Sequence, residues 1–145
     1  MFRNILLPTD GSPLSEAAIL KGIQFAKTLN ARVTGFCVIP KLRYSSFEWD
    51  LAPEFKKQAA ASVQAQVNKY LLAIEKAAKE AGVTCETAQE KSDQPYEAII
   101  EAAKKRKCDL IIMASHGRRG VQGLLLGSET QKVLTHSKIP VLVFR

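Results

Sequence analysis

Short apolar runs alternate along the chain with longer segments whose apolar residues recur at helical spacing. The short runs predict five strands, at residues 3–7, 32–39, 83–90, 110–114 and 139–144. The longer segments predict four helices. Three lie at residues 13–29, 53–81 and 128–136, and another starts at residues 92–95 and ends in the basic cluster 104–107. Residues 40–52 have no clean period, so we expect them to form a loop.

Start and stop signals support several of these boundaries. Ser12 is a typical helix cap, and Pro13 suits the first helical position. Gly82 is a typical stop for the second helix. Ser128 and Gln131 have the spacing of a capping box, which predicts that the fourth helix begins there.

Strands that alternate with helices predict a doubly wound α/β fold, with a parallel sheet and helices on both faces. No internal repeat or low-complexity stretch divides the chain, so we expect one domain over residues 1–145. Ligands of such sheets bind beyond the carboxyl ends of the strands, where the strand order reverses. Residues 8–10 and 114–117, which end the first and fourth predicted strands, are the expected walls of that crevice.

The composition is that of an ordinary globular domain, with 145 residues of which 46% are hydrophobic. No apolar run is long enough to span a membrane, and we see no signal peptide before the first strand. Cys37, Cys85 and Cys108 form no CxxC pair and no metal spacing, so we expect reduced thiols packed as small core residues. These features predict a cytoplasmic protein.

A net charge of +7 favours anionic partners such as nucleic acid, anionic lipid or a phosphate ligand. The densest basic cluster, residues 104–107, ends a predicted helix, where cations interact favourably with the helix dipole. We prefer this interpretation to a nucleic-acid patch, because no aromatic residues are interleaved with the basic ones.

The segment between the fourth strand and the fourth helix carries the candidate chemistry. It has four glycines within eleven residues: Gly117, Gly120, Gly123 and Gly127. Glycine lets a ligand approach the backbone, and the following helix N-terminus offers unpaired N–H groups. With Arg118 and Arg119 beside it, the segment predicts a phosphate-binding loop. The alternative is a glycine-rich turn with solvated arginines. The spacing fits neither a Walker A loop nor a dinucleotide-binding GxGxxG.

Three motifs make the chain resemble the universal stress protein family over essentially its full length. They are Leu6-Leu7-Pro8-Thr9-Asp10-Gly11-Ser12, Ser115-His116-Gly117 with nine residues before Gly127-Ser128, and Ile139-Pro140-Val141-Leu142-Val143. The ATP-binding branch has the pattern Gly-x2-Gly-x9-Gly-(Ser/Thr), whose first position here holds Ala114. The resemblance implies a Rossmann-like sheet, of the adenine nucleotide alpha hydrolase-like kind, with strand order 3-2-1-4-5.

The resemblance further implies a site for ATP, with Mg²⁺ held by the phosphates and water. The positions that it implies for nucleotide binding are Pro8, Thr9, Asp10, Val38, Met113, Ala114, His116, Gly117, Arg118, Gly127, Ser128, Glu129 and Thr130. Of these, residues 8–10 and Val38 are expected to border adenine and ribose, and residues from Gly117 onward to surround the phosphates. Asp10 is the candidate for a ribose hydroxyl, although a turn residue that bonds its own backbone is an equal alternative.

The last predicted strand implies a partner. It is an edge strand in the family, and its β-prone residues, Val141, Leu142, Val143 and Phe144, would leave an unpaired apolar edge. The resemblance implies that two copies pair these strands antiparallel in a homodimer. A covered edge in a monomer is the alternative.

Three functions are compatible with these residues. The preferred one is a nucleotide-binding regulatory module of a stress response, which acts through conformation or partners. A slow ATPase or nucleotidyl-transfer enzyme is the second, with Asp10 and Glu129 as weak candidates for a general base. The third is a stress protein that no longer binds nucleotide, which Ala114 supports. No catalytic residue is assigned, because no Ser–His–Asp set or carboxylate pair emerges from the spacing.

Overall fold

The computed structural model describes residues 1–118 and 125–145, and strands alternate with helices along them. The elements are β1 (Asn4–Thr9), α1 (Pro13–Leu29), β2 (Arg32–Ile39), α2 (Pro53–Ala81), β3 (Cys85–Lys91), α3 (Pro95–Lys105), β4 (Leu110–Ala114), α4 (Ser128–His136) and β5 (Val141–Phe144). Arg119, Gly120 and Gly123, which belong to the predicted phosphate loop, lie outside the described residues.

The five strands form one parallel sheet in the order β3-β2-β1-β4-β5, which confirms the predicted α/β fold and strand order. β1 lies at the centre, where Ile5 pairs with Val33 of β2 on one side and with Leu110 of β4 on the other. The strand order reverses between β1 and β4. The carboxyl ends of these two strands are therefore the position at which such a fold holds a ligand.

Each face of the sheet is covered by a pair of helices. On one face, Ile5 and Ile112 belong to a buried cluster with Ile23 of α1 and Ile74 of α2. On the other face, neighbouring strand positions such as Leu6 form a second cluster, which includes Ile99 of α3 and Val133 of α4. Because successive strand residues point to opposite faces, β1 and β4 must be apolar almost throughout. All their residues are buried.

Three strands differ from the prediction in their bounds. β1 continues through Pro8 and Thr9, which pair only with β2, and a proline is tolerated where one side of a strand is unpaired. β3 begins two residues late because Val83 instead closes the end of α2, its N–H donating to the Ala78 carbonyl. β5 begins at Val141 because the Ser137 hydroxyl holds Ile139 in a turn.

The predicted start of α1 and end of α2 are confirmed. The Ser12 hydroxyl accepts a hydrogen bond from the Ser15 N–H at 3.2 Å and so satisfies one donor of the first turn of α1. Gly82 ends α2 in the left-handed region, with φ 74°.

The predicted capping box of α4 is wrong. Gly127, with φ −59° and ψ 151°, is the cap residue, and Ser128 is the first residue of the helix. The Gln131 amide donates to the Leu126 carbonyl at 2.8 Å instead of returning to a cap residue. The helix begins where the pattern places it, but no side chain of the described residues caps it.

Three of the four residues of the basic cluster at the end of α3 are paired with carboxylates. Lys104 Nζ lies 2.8 Å from Glu101 Oε1. Lys105 Nζ lies 3.6 Å from Glu90 Oε2, and Arg106 Nη1 lies 3.8 Å from Glu86 Oε1. These contacts favour the helix-end interpretation over a nucleic-acid patch. Within the described residues, no helix combines the length and the apolar character that crossing a membrane requires.

The three cysteines are free thiols, and Cys37 and Cys108 lie in the core as predicted. Burial, together with the nearby charge of Asp10, raises the pKa of Cys37 to about 11. A thiol with so high a pKa stays protonated at neutral pH, as expected of a packing residue.

The two helix-start serines predict unequal effects on stability. Ser12→Ala should lower the free energy of unfolding by about 1 kcal/mol, because it removes the cap of α1. Ser128→Ala, the matched change at α4, should alter it by less than about 0.5 kcal/mol. Urea denaturation of both variants measures the difference, and equal losses would contradict the cap assignment.

Candidate functional site

The Asp10 carboxylate joins the ends of β1 and β4. Its Oδ1 accepts from the Ser12 N–H at 2.9 Å, which is the local turn bond that the sequence allows. Its Oδ2 accepts from the Arg118 N–H at 2.8 Å, across 108 positions of the chain. Asp10 is therefore a turn residue and also the link that fixes the beginning of the β4–α4 connection against β1.

These hydrogen bonds keep Asp10 ionised. Partial burial opposes the charge, but donors from Ser12, Arg118 and Ser15 outweigh it and lower the pKa of Asp10 below its ordinary value. The site thus holds a fixed negative charge beside a backbone that supplies positive N–H dipoles.

Gly117 is required by this close approach. A Cβ at this position would collide with Asp10 Oδ2. Any other residue would displace either the Asp10 carboxylate or the connection, so this glycine of the motif has a steric reason in this chain.

The two ends of the β4–α4 connection are hydrogen-bonded to each other. The Gly127 N–H donates to the Ser115 carbonyl at 2.7 Å, and the Thr130 hydroxyl donates to the Ala114 carbonyl at 3.0 Å. A Cβ at Gly127 would lie 3.1 Å from that Ser115 oxygen, so a small residue is needed here too. The end of β4 is thereby fixed against the first turn of α4.

The His116 side chain contributes to the same closure. Its Nε2 bonds the Leu125 carbonyl, and its Nδ1 lies 2.9 Å from the Ser115 hydroxyl. The family resemblance gives more weight to the backbone of His116 than to its imidazole. Its imidazole instead holds the far end of the connection close to β4.

Glu129 supports α3 rather than facing the crevice with its carboxylate. Its Oε2 accepts from the Tyr96 N–H at 3.0 Å, in the first turn of α3, where the cap residue Gln94 offers no side-chain bond. Its Oε1 lies 3.3 Å from Lys132. Glu129 is therefore an N-terminal cap supplied from another helix, and the sequence spacing gave no sign of this.

The remaining predicted residues occupy the strands around the crevice. The Thr9 hydroxyl is buried between Ser15 Oγ and the Gly11 N–H, at 2.9 Å and 3.0 Å. Val38 is half-buried on β2 and packs against the core on the α3 side. Pro8, Met113 and Ala114 are buried strand residues. By strand alternation, the Ala114 methyl faces α1 together with Ile112.

The structure adds one residue that the sequence did not single out. Tyr70 of α2 places its ring against Gly11, where a Cβ would overlap the ring, and its hydroxyl bonds the Arg118 guanidinium. In the sequence, Tyr70 is one member of an apolar helical stripe. Its contacts join segments far apart in the chain, so no local pattern reveals them.

A depression of ≈ 300 Å³ lies at the opposite end of the sheet from Asp10. Basic side chains line it, among them Arg3, Lys27 and Arg32. It shares no residue with the Asp10 crevice and lies near the amino ends of β1 and β2. We place the candidate site at the carboxyl ends, because open α/β sheets hold their ligands there.

Comparison with known proteins identifies the family. The model of the universal stress protein family matches residues 1–145. The chain belongs to this family. Universal stress protein MJ0531 of Methanocaldococcus jannaschii is 31% identical over 149 residues, which cover 100% of this chain and 83% of the relative.

Two solved structures extend the comparison. Protein MJ0577, from the same organism, superposes with a TM-score of 0.80 at 30% identity, covering 99% of this chain and 95% of the other. A universal stress protein in complex with cAMP superposes with a TM-score of 0.71 at 25% identity, covering 99% and 97%. This universal stress protein therefore shares its whole fold with both.

The Asp10 hydrogen bonds predict a pH-dependent contribution to stability in this universal stress protein. Because the folded-state pKa of Asp10 is lowered, its stabilising effect is present above the unfolded pKa of about 3.9 and is lost as pH falls through the folded value. Asp10→Asn should therefore be less stable than wild type by a constant amount above about pH 5, with the gap shrinking below about pH 4.

Urea denaturation between pH 3 and pH 7 measures this gap. Asp50→Asn, which removes one exposed carboxylate, controls for the change in net charge. A gap that is independent of pH would contradict the assigned role of the Asp10 charge.

Proposed function

We propose that this universal stress protein binds an adenine nucleotide, ATP with Mg²⁺, and acts as a homodimeric regulatory module of a stress response. The observation that carries the proposal is the start of α4. It is a helix N-terminus without a side-chain cap among the described residues, and a glycine at each end of the β4–α4 connection frames it.

The phosphates fit this helix start. The first-turn N–H groups of an α-helix have no partner within the helix, and its dipole favours negative charge there. In α4 the cap residue Gly127 presents no side chain that would compete with a ligand. We assign phosphate contacts to the backbone N–H groups of Gly117, Ser128 and Glu129, and to Arg118. Gly127, whose N–H is already bonded to the Ser115 carbonyl, leaves room for the phosphates because it has no side chain.

The adenine and ribose then belong to the wall formed by β1 and β2. Pro8, Thr9 and Val38 end these strands beside Asp10. Asp10 is ionised, and its acceptor oxygens suit a ribose hydroxyl. The universal stress protein solved with cAMP, at 25% identity, supports an adenine nucleotide as the ligand class.

The described residues contain no group of three or more His, Cys, Asp or Glu side chains that could hold a metal ion. Mg²⁺ would accordingly be held by the phosphates and water, as it is in many nucleotide sites, and would neutralise part of the phosphate charge. The chain's own part is to orient the phosphates at the α4 N-terminus.

Gly127→Val tests the phosphate assignment. The branched side chain would press on the Ser115 carbonyl and fill the start of α4, so the rise in melting temperature with ATP and Mg²⁺ should disappear. Gly82→Asn changes a glycine with no heavy atom near its Cβ position and should keep the full rise. Thermal unfolding with and without nucleotide measures both.

The outcomes of this experiment separate the functions. Retained, unhydrolysed ATP in the purified protein favours the binding module, and hydrolysis favours an enzyme. Binding that survives Gly127→Val contradicts the phosphate assignment. No binding by the wild type favours a stress protein that no longer uses nucleotide.

The proposed dimer rests on β5. This edge strand pairs with β4 through the Pro140 and Phe144 carbonyls, which accept from the N–H groups of Ile111 at 3.0 Å and Ser115 at 2.7 Å. Because backbone groups alternate in direction along a strand, the N–H and C=O groups of Val141 and Val143 point away from β4, toward the open edge. These groups are suited to antiparallel pairing with a second copy of β5.

Val143→Pro tests this pairing without disturbing the β4 ladder. Proline removes an N–H from the open edge, so the variant should be monomeric where the wild type is dimeric. Val143→Ala keeps the N–H and should remain dimeric. Sedimentation of the three proteins measures the mass, with circular dichroism to verify folding. A dimeric Val143→Pro would exclude this interface.

A further inference from the structure

We propose that Tyr70 is a positioning residue of the nucleotide site, which holds Arg118 in place for the phosphates. This inference rests on the proposed function. Tyr70 lies on α2, an element to which neither the sequence motifs nor the proposed phosphate cradle assigns a role.

The ring of Tyr70 is fixed by the turn that follows β1. Gly11 has φ 77°, and a Cβ on it would overlap the ring, so the ring packs directly on the backbone between Asp10 and Ser12. Neighbouring α2 residues, Val67 and Ile74, are buried in the core cluster. The ring is thus held between a rigid helix and the Asp10 turn.

Arg118 is exposed and yet held at three points. Its N–H donates to Asp10, its guanidinium bonds the Tyr70 hydroxyl, and its Cζ lies 5.5 Å from the centre of the Tyr70 ring. An exposed arginine normally samples many rotamers, and ordering it costs conformational entropy. Here Asp10 fixes the main chain and Tyr70 fixes the side chain before a ligand arrives.

This arrangement predicts a dependence on phosphate number. Preorganisation increases affinity by reducing the ordering that binding must bring about. Arg118 is assigned to the phosphates, so the contribution of Tyr70 should be large for a triphosphate and small for a monophosphate. A purely structural tyrosine would affect both nucleotides equally.

The experiment compares ATP and AMP binding by calorimetry in wild type, Tyr70→Phe, Arg118→Ala and the double variant. Tyr70→Phe keeps the ring on Gly11 and removes only the hydroxyl bond. It should weaken ATP binding about three- to tenfold, the equivalent of one modest hydrogen bond, and leave AMP binding within about twofold. In the Arg118→Ala background, Tyr70→Phe should have no further effect on ATP.

Tyr44→Phe is the matched control, because the Tyr44 ring, in the 40–52 segment, pairs with Lys56 of α2, whereas the ring partner of Arg118 is Tyr70. It should bind ATP as the wild type does. Unchanged ATP affinity in Tyr70→Phe, equal weakening for AMP, or a full effect in the Arg118→Ala background would each overturn the inference while leaving the proposed function standing. A wild type that binds neither nucleotide would overturn the proposed function, and the inference with it.

Discussion

The Asp10 carboxylate is the contact on which the rest of the site depends. One of its oxygens orders the turn after β1, and the other holds the backbone that follows β4. The parallel sheet brings these two strand ends together, but sheet pairing of β1 with β4 covers only Ile5 and Leu6. Beyond that point, the Asp10 hydrogen bond joins the two strand ends. Gly117 is the residue that lets this bond form.

Around this link, polar side chains bond other parts of the protein. The backbone N–H groups at the start of α4 are the groups that we propose for a ligand. Thr130 holds Ala114, His116 holds Leu125, and Glu129 caps α3. A site of this kind would offer an anion backbone N–H groups and a helix dipole, with Arg118 as the one charged side chain assigned to the ligand. Asp10 and Glu129, the two candidates for a general base, each accept a hydrogen bond from a backbone N–H group. Both carboxylates therefore already have a structural role.

The spacing of apolar residues predicted much of the fold, because that spacing follows from which side of each helix or strand is buried. β2, α2, β4 and α4 have the bounds that the apolar pattern indicates. The family resemblance supplied the strand order. The predictions failed in two situations. In one, two neighbouring residues competed for the same position, and in the other, the contact joins residues far apart in the chain. Gly127 took the cap position that Ser128 could have filled, and the Glu129 and Tyr70 contacts depend on residues brought together only by the folded chain.

The hydrogen bond between the Gly127 N–H and the Ser115 carbonyl closes the base of the β4–α4 connection. The two ends of this connection are thereby held together. The entropic cost of closing such a loop rises only slowly as the loop becomes longer. The residues within this connection can therefore change while β4, α4 and the core they share continue to fold in the same way.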